Sequence, residues 1–198
     1  MPDPTVDLSY PHRFEVEILP HAPAVSELVS LGGPQRIRIP ESGEDVDALH
    51  VKIVPASGAS WVGSFARGFE SDDFSNGVWA WPDGESLAVV SAGYGYVLKA
   101  EDPKSWVRLQ PMPITDVRLV PEHQLIVFAD FTNIYAYNAE KSVWKSDRLS
   151  WDGVTITQVS TSHIFGLGWD AMADKEIEFV IDVRTGQHTG GARPWAKR

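Results

Sequence analysis

Val117-Arg118-Leu119-Val120-Pro121-Glu122-His123, then Leu125-Ile126-Val127-Phe128-Ala129, Ile134-Tyr135-Ala136-Tyr137-Asn138 and Trp144, is the stretch on which the fold turns. The same order of features occurs once before it. There it reads Val78-Trp79-Ala80-Trp81-Pro82-Asp83-Gly84, then Leu87-Ala88-Val89-Val90-Ser91, Tyr96-Val97-Leu98 and Trp106. Pro82 and Pro121 are 39 positions apart, and the pairs Leu87/Leu125 and Trp106/Trp144 are each 38 apart. A fixed period near forty, built of short apolar runs, marks a chain of repeated small sheets. Each copy reads as four strands. The first is short and apolar and ends in a Pro-containing turn. The second is a nearly continuous apolar run, as in strands covered on both faces. The third alternates, and the fourth carries the tryptophan. Trp106 and Trp144 therefore read as packing residues between sheets.

A third copy is looser, with strands predicted over 156–161, 163–168 and 178–182. Asn138 and Asp182 close equivalent strands 44 positions apart, and the extra spacing predicts an insertion over 171–175. Before the repeats, alternation predicts strands over 14–18, 36–39, 49–53 and 61–65. Residues 24–31 read as a short helix stopped by Gly32-Gly33-Pro34. Residues 41–47 and 71–77 read as acidic loops. The expected organisation is a single domain over 1–198, with three repeats in 77–190 and divergent strands in 1–76 that complete or cap the sheets.

Two turns carry a resemblance. Pro82-Asp83-Gly84 after a first strand and Ile181-Asp182-Val183-Arg184-Thr185-Gly186 after a third resemble repeats of β-propellers of the WD40 and quinoprotein-like kind, over about 77–190. The resemblance implies an all-β fold, a small or incomplete β-propeller-like array of antiparallel sheets; a twisted β-sandwich with similar hairpins is the alternative. The Gly-His element of WD40 repeats is absent. Trp151-Asp152 and Trp169-Asp170 stand at a loop and at the end of a second strand, not of a third. No WD40 functional residue is carried over. At about forty residues per blade the chain allows at most about five blades, against a usual four to eight. An incomplete ring leaves sheet edges to cover, which makes a homo-oligomer an expectation in that case.

Composition bounds the partners. A net charge of −10 without a basic run argues against nucleic acid and against anionic membrane surfaces. With no cysteine, the chain has no disulfide, thiolate metal site or cysteine nucleophile. The N-terminus shows no basic stretch leading into an apolar run, and a cytoplasmic location is expected. No phosphate loop, nucleophile elbow, His-Glu-x-x-His or dinucleotide fingerprint occurs, so no cofactor and no catalytic residue is assigned.

Two loop sets remain. In the turns after the first strands, Asp83, Glu122, His123 and His163 occupy matching positions and carry the groups a divalent metal or acid–base chemistry would need. In the turns between second and third strands, Tyr94, Asp130, Phe131, Trp169 and Asp170 place aromatics beside carboxylates, a pattern suited to a protein segment, a sugar or a cation. The preferred function is a non-enzymatic binding or scaffolding module that recognises a protein or small ligand through a loop face. The alternatives are an enzyme acting on a small molecule or glycan through the turn carboxylates and histidines, and an immunity-type neutralising protein.

Overall fold

The structure is a computed structural model that describes residues 3–24, 26, 28, 35–40, 47–69, 71 and 73–192. The described residues are all-β and form four small, mainly antiparallel sheets. It divides into two compact units, Met1–Gln110 and Pro111–Arg198, with two sheets in each.

The first sheet of the N-terminal unit contains β2 (Phe14–Leu19), β3 (Gln35–Ile39), β4 (Ala48–Pro55) and β5 (Trp61–Ala66). Its order is β2-β4-β5-β3, with β3 running parallel to β5 at the edge. Residues 1–76 thus supply a sheet of their own. They also supply β1 (Thr5–Asp7), which joins the next sheet parallel to its first strand. That sheet is the first repeat: β6 (Gly77–Ala80), β7 (Ser86–Ser91), β8 (Tyr94–Lys99) and β9 (Asp102–Arg108), in the order β1-β6-β7-β8-β9. Parallel pairing at an edge leaves no mark in local sequence, because it is made between segments far apart in the chain.

In the C-terminal unit both sheets are plain meanders. One runs β10 (Asp116–Val120), β11 (Leu125–Ala129), β12 (Ile134–Tyr137), β13 (Ser142–Lys145); the other runs β14 (Val154–Val159), β15 (His163–Asp170), β16 (Lys175–Asp182), β17 (His188–Gly190). The insertion expected over 171–175 is not an inserted loop. The turn between β15 and β16 spans only 171–174, and both strands are eight residues long, against five in β11 and four in β12. The extra spacing lengthens the hairpin itself. Of the helix expected over 24–31, the described part shows the Leu28 N–H donating to the Ala24 carbonyl at 3.0 Å; the rest lies outside the described residues.

The continuous apolar runs are the sheet centres. Every residue of β7 and of β11 is buried. In the C-terminal unit, Val127, Ala129, Ile134 and Ala136 pack with Ile164, Phe179, Ile181 and Val183 into one core. Trp144 closes that core. Its indole Nε1 donates to the Val183 carbonyl at 2.8 Å, and its ring lies against Gly186. The N-terminal unit repeats the device with a residue outside the sequence repeat: Trp61 Nε1 donates to the Ala100 carbonyl at 2.8 Å. Both bonds reach 39 residues forward, from one sheet to the turn after the third strand of the next. Trp106 is half-buried and meets Tyr96 edge-on at 6.1 Å within its own sheet.

Candidate functional site

The β7–β8 hairpin closes with two residues, Ala92 and Gly93, both at positive φ (46° and 85°). This is the backbone of the primed turns that match strand twist. The tight turn leaves Tyr94 as the first residue of β8, opposite Ser91. The segment after β5 wraps this tip. Gly68 N–H donates to the Ser91 carbonyl at 3.1 Å and Phe69 N–H to the Ala92 carbonyl at 3.0 Å, while Ser75 accepts from Gly93 N–H at 3.1 Å. A side chain at Gly68 would strike the Tyr94 ring and the Ala92 carbonyl, so the close wrap depends on glycine there.

The wrap gathers three aromatic rings. Phe69 meets Phe74 at 5.1 Å and the edge of Tyr94 at 5.4 Å. The Arg108 guanidinium lies 3.8 Å over the Tyr94 ring, a cation–π contact between β9 and β8. Phe69 keeps 37% of its surface exposed, and Val107 beside Arg108 keeps 57%. The segment that carries both phenylalanines reads Phe69-Glu70-Ser71-Asp72-Asp73-Phe74, with three acidic residues in the sequence between them. Of this group, the sequence reading singled out only Tyr94. Phe69, Phe74 and Arg108 had one signal available: two large apolar residues bracketing an otherwise polar loop.

The other residues of that expected face do local work. Asp130 is 7% exposed, and its carboxylate accepts from Thr132 N–H, Thr132 Oγ1, Asn133 N–H and Tyr135 OH at 2.7 to 3.2 Å. Burial, followed by that bond to Asp130, pushes the Tyr135 phenol well above its ordinary pKa. Asp170 accepts from the Met172 and Ala173 N–H groups and ties the β15–β16 turn. Phe131 and Trp169 are half-buried, and their carbonyls accept from Gly153 and Trp151 N–H groups of the segment that leads into β14.

The four residues read as metal or acid–base candidates are placed as follows. Asp83, in the N-terminal unit, accepts from the Glu85 and Ser86 N–H groups and from the Ser86 hydroxyl at 2.7 to 2.8 Å. Glu122 and His123 form a 3-10 turn over Pro121–His123. His123 Nε2 lies 2.6 Å from the Thr161 carbonyl, so the turns after β10 and β14 do come together. His163 Nδ1 meets the Ser162 hydroxyl at 2.8 Å. Among the described residues, no group of three or more histidines and carboxylates is placed to hold a metal ion.

The turn resembling a propeller motif has a clear local logic. Asp182 accepts from the Arg184 and Thr185 N–H groups and from the Thr185 hydroxyl at 2.9 to 3.0 Å, and Gly186 follows at φ 71°. Asn138 holds the equivalent turn through Glu140 and Lys141 N–H groups. The Thr185 bonds, chiefly that from its hydroxyl, hold the Asp182 carboxyl below its ordinary pKa. Lowered in the folded state, the carboxylate adds stability above its unfolded pKa of about 3.9, and that stability is lost as pH falls through the folded value. Asp182→Asn is therefore expected to keep the turn, as Asn138 does, and to flatten the loss of thermal stability below about pH 4. Melting curves from pH 2 to 7 check this; an unchanged acid slope would remove Asp182 as its source.

No protein-family model matches the chain, and no curated protein matches it. Among solved structures it is similar to the N-terminal domain of Nup159, with 12% identity and a TM-score of 0.45, over 97% of this chain and 55% of that one. It is also similar to a chain of the S. cerevisiae structure of Dbp5 bound to Nup159, Gle1, IP6 and ADP, with the same identity and TM-score, over 97% of this chain and 53% of that one. The chain spans about half the length of these solved chains.

Proposed function

We propose that the chain is a non-enzymatic binding module, and that its partner surface is the wrapped β7–β8 tip. The observation that carries this is the ring group of Phe69, Phe74 and Tyr94 at the two-residue turn, with Phe69 exposed and the other two half-buried. Aromatic side chains fixed by backbone bonds give contact area at low entropic cost, and they dominate binding energy at protein interfaces. The carboxylates between Phe69 and Phe74, with a chain charge of −10, favour a neutral or basic protein segment.

The test is affinity capture by the full chain from its native host, compared with Phe69→Ala and Tyr94→Ala. A stoichiometric partner is expected with the wild type, reduced at least about tenfold by each variant, an effect of hot-spot size. Melting temperatures within about 3 °C of wild type would show the fold intact. Equal capture by the variants rejects this surface. A large drop in melting temperature for Tyr94→Ala would assign the ring to packing.

A further inference from the structure

The two sheets of the C-terminal unit share one core. Val127, Ala129, Ile134 and Ala136 of the β10–β13 sheet pack with Ile164, Phe179 and Ile181 of the last sheet, β14–β17. Side chains alternate along a strand, so the residues between these three take the other face of the last sheet. On β15 they are His163, Phe165, Leu167 and Trp169, and register sets Asp182, Val180, Glu178 and Glu176 of β16 opposite them in turn. Thr155 and Gln158 of β14 flank Leu167 and Phe165, and Thr189 of β17 flanks Val180.

This second face is not closed. Every residue of β7 and of β11 is buried, whereas β15 alternates: Ile164, Gly166 and Gly168 are buried, and Phe165, Leu167 and Trp169 are half-buried. Large apolar side chains at three successive alternate positions make a row about 14 Å long. An apolar row left open beside polar residues marks a contact surface. The rim here is acidic. Glu176 and Glu178 are exposed, across from Trp169 and Leu167, and among the described residues neither has an ion-pair partner. His163 and Asp182 stand at the far end of the row, where the Asp182 carboxylate is held by the Arg184 and Thr185 N–H groups. The four strands hold no arginine and a single lysine, Lys175, which stands opposite Asp170 and alternates to the other face.

We propose that the outer face of the last sheet docks a segment of a partner protein whose apolar side chains are flanked by lysine or arginine. The row of Phe165, Leu167 and Trp169 supplies the contact area, and Glu176 and Glu178 select the charge. A face with carboxylates and no lysine or arginine of its own rejects acidic segments. It also disfavours a second copy of itself, because two-fold pairing sets Glu176 and Glu178 against their own copies. The surface is separate from the aromatic tip, which belongs to the other unit.

The probe is a labelled synthetic peptide of alternating leucine and lysine, with a leucine–glutamate peptide of the same pattern as control. Each is titrated into the full chain and followed by fluorescence anisotropy and by the Trp169 indole N–H signal in NMR, assigned with Trp169→Phe. Saturable binding of the lysine peptide with movement of the Trp169 signal is expected, and neither with the glutamate peptide. Leu167→Ala and Glu178→Lys should each weaken binding at least about fivefold, the loss of one contributing interface side chain. Glu140→Gln removes an exposed carboxylate outside this face and should leave binding unchanged. Melting temperatures establish that each variant folds, and Glu178→Gln replaces Glu178→Lys should the charge reversal unfold the chain. Absence of saturable binding, an unmoved Trp169 signal, or full affinity in the folded face variants overturns the proposal. Binding that Phe69→Ala weakens as much as Leu167→Ala does also overturns it, since the probe would then sit at the aromatic tip. Two further results reject it in favour of another occupant: a wild-type dimer in sedimentation that Glu178→Lys dissociates, which assigns the face to a second copy, and binding seen only in Trp195→Ala, which assigns it to the chain's own C-terminal sequence.

Discussion

Replacing Trp144 by alanine is expected to cost about 4 kcal/mol of unfolding free energy, the middle of the range for large buried aromatics. The ring is 8% exposed and fills the space between two sheets of the C-terminal unit. Its removal takes away the packed area and the bond to the Val183 carbonyl, and Val183 itself is fully buried. Phe at this position keeps most of the area and loses the indole donor, so Trp144→Phe should cost about 1–2 kcal/mol. The backbone under the ring makes an independent prediction. Gly186 sits under the ring at φ 71°, and a Cβ there would come 2.7 Å from Trp144 Cδ2. Gly186→Ala should therefore destabilise through both strain and displacement of the ring. Urea titration followed by near-UV circular dichroism measures all three. A loss below about 1 kcal/mol for Trp144→Ala, a surface-like value, would show that the sheets do not depend on this contact.

Asp130→Ala is expected to lower stability by about 3 kcal/mol. Sequence alone places Asp130 on a recognition face, while the structure surrounds its carboxylate with four donors. Deleting it leaves the Tyr135 hydroxyl and two backbone N–H groups of the β11–β12 turn without their acceptor. Tyr135→Phe removes only one of those bonds and should cost about 1 kcal/mol. The comparison separates two roles. A turn residue lowers the melting temperature, and a recognition residue lowers partner capture at unchanged stability. An Asp130→Ala protein of wild-type stability that no longer captures a partner would restore the recognition role.

What was legible in the sequence was whatever is decided locally. The apolar runs of β7 and β11 are buried at every position, as continuous runs require. The turn chemistry of Asp83, Asn138 and Asp182 depends on side chains bonding backbone two or three residues on, so it can be read from spacing. The aromatic tip was half legible. Tyr94 stands out in Gly93-Tyr94-Gly95, but Phe69 reaches it only because the segment after β5 hydrogen-bonds to the hairpin. The contact of Arg36 and His50 with Ser64 was not legible at all. Arg36, His50 and Ser64 are 14 and 28 positions from one another and meet only once β3, β4 and β5 are in register.

By itself the sequence determined an all-β chain of small sheets with a period near forty, because alternation, apolar runs and turn residues are short-range properties of the backbone. Tertiary structure alone decided how strands distant in the chain pair. It set β1 and β3 parallel at sheet edges, made Trp61 rather than Trp106 the counterpart of Trp144, and drew Arg36 to Ser64. The reason is that pairing and register between distant segments are chosen by side-chain packing across strands, which no local pattern encodes.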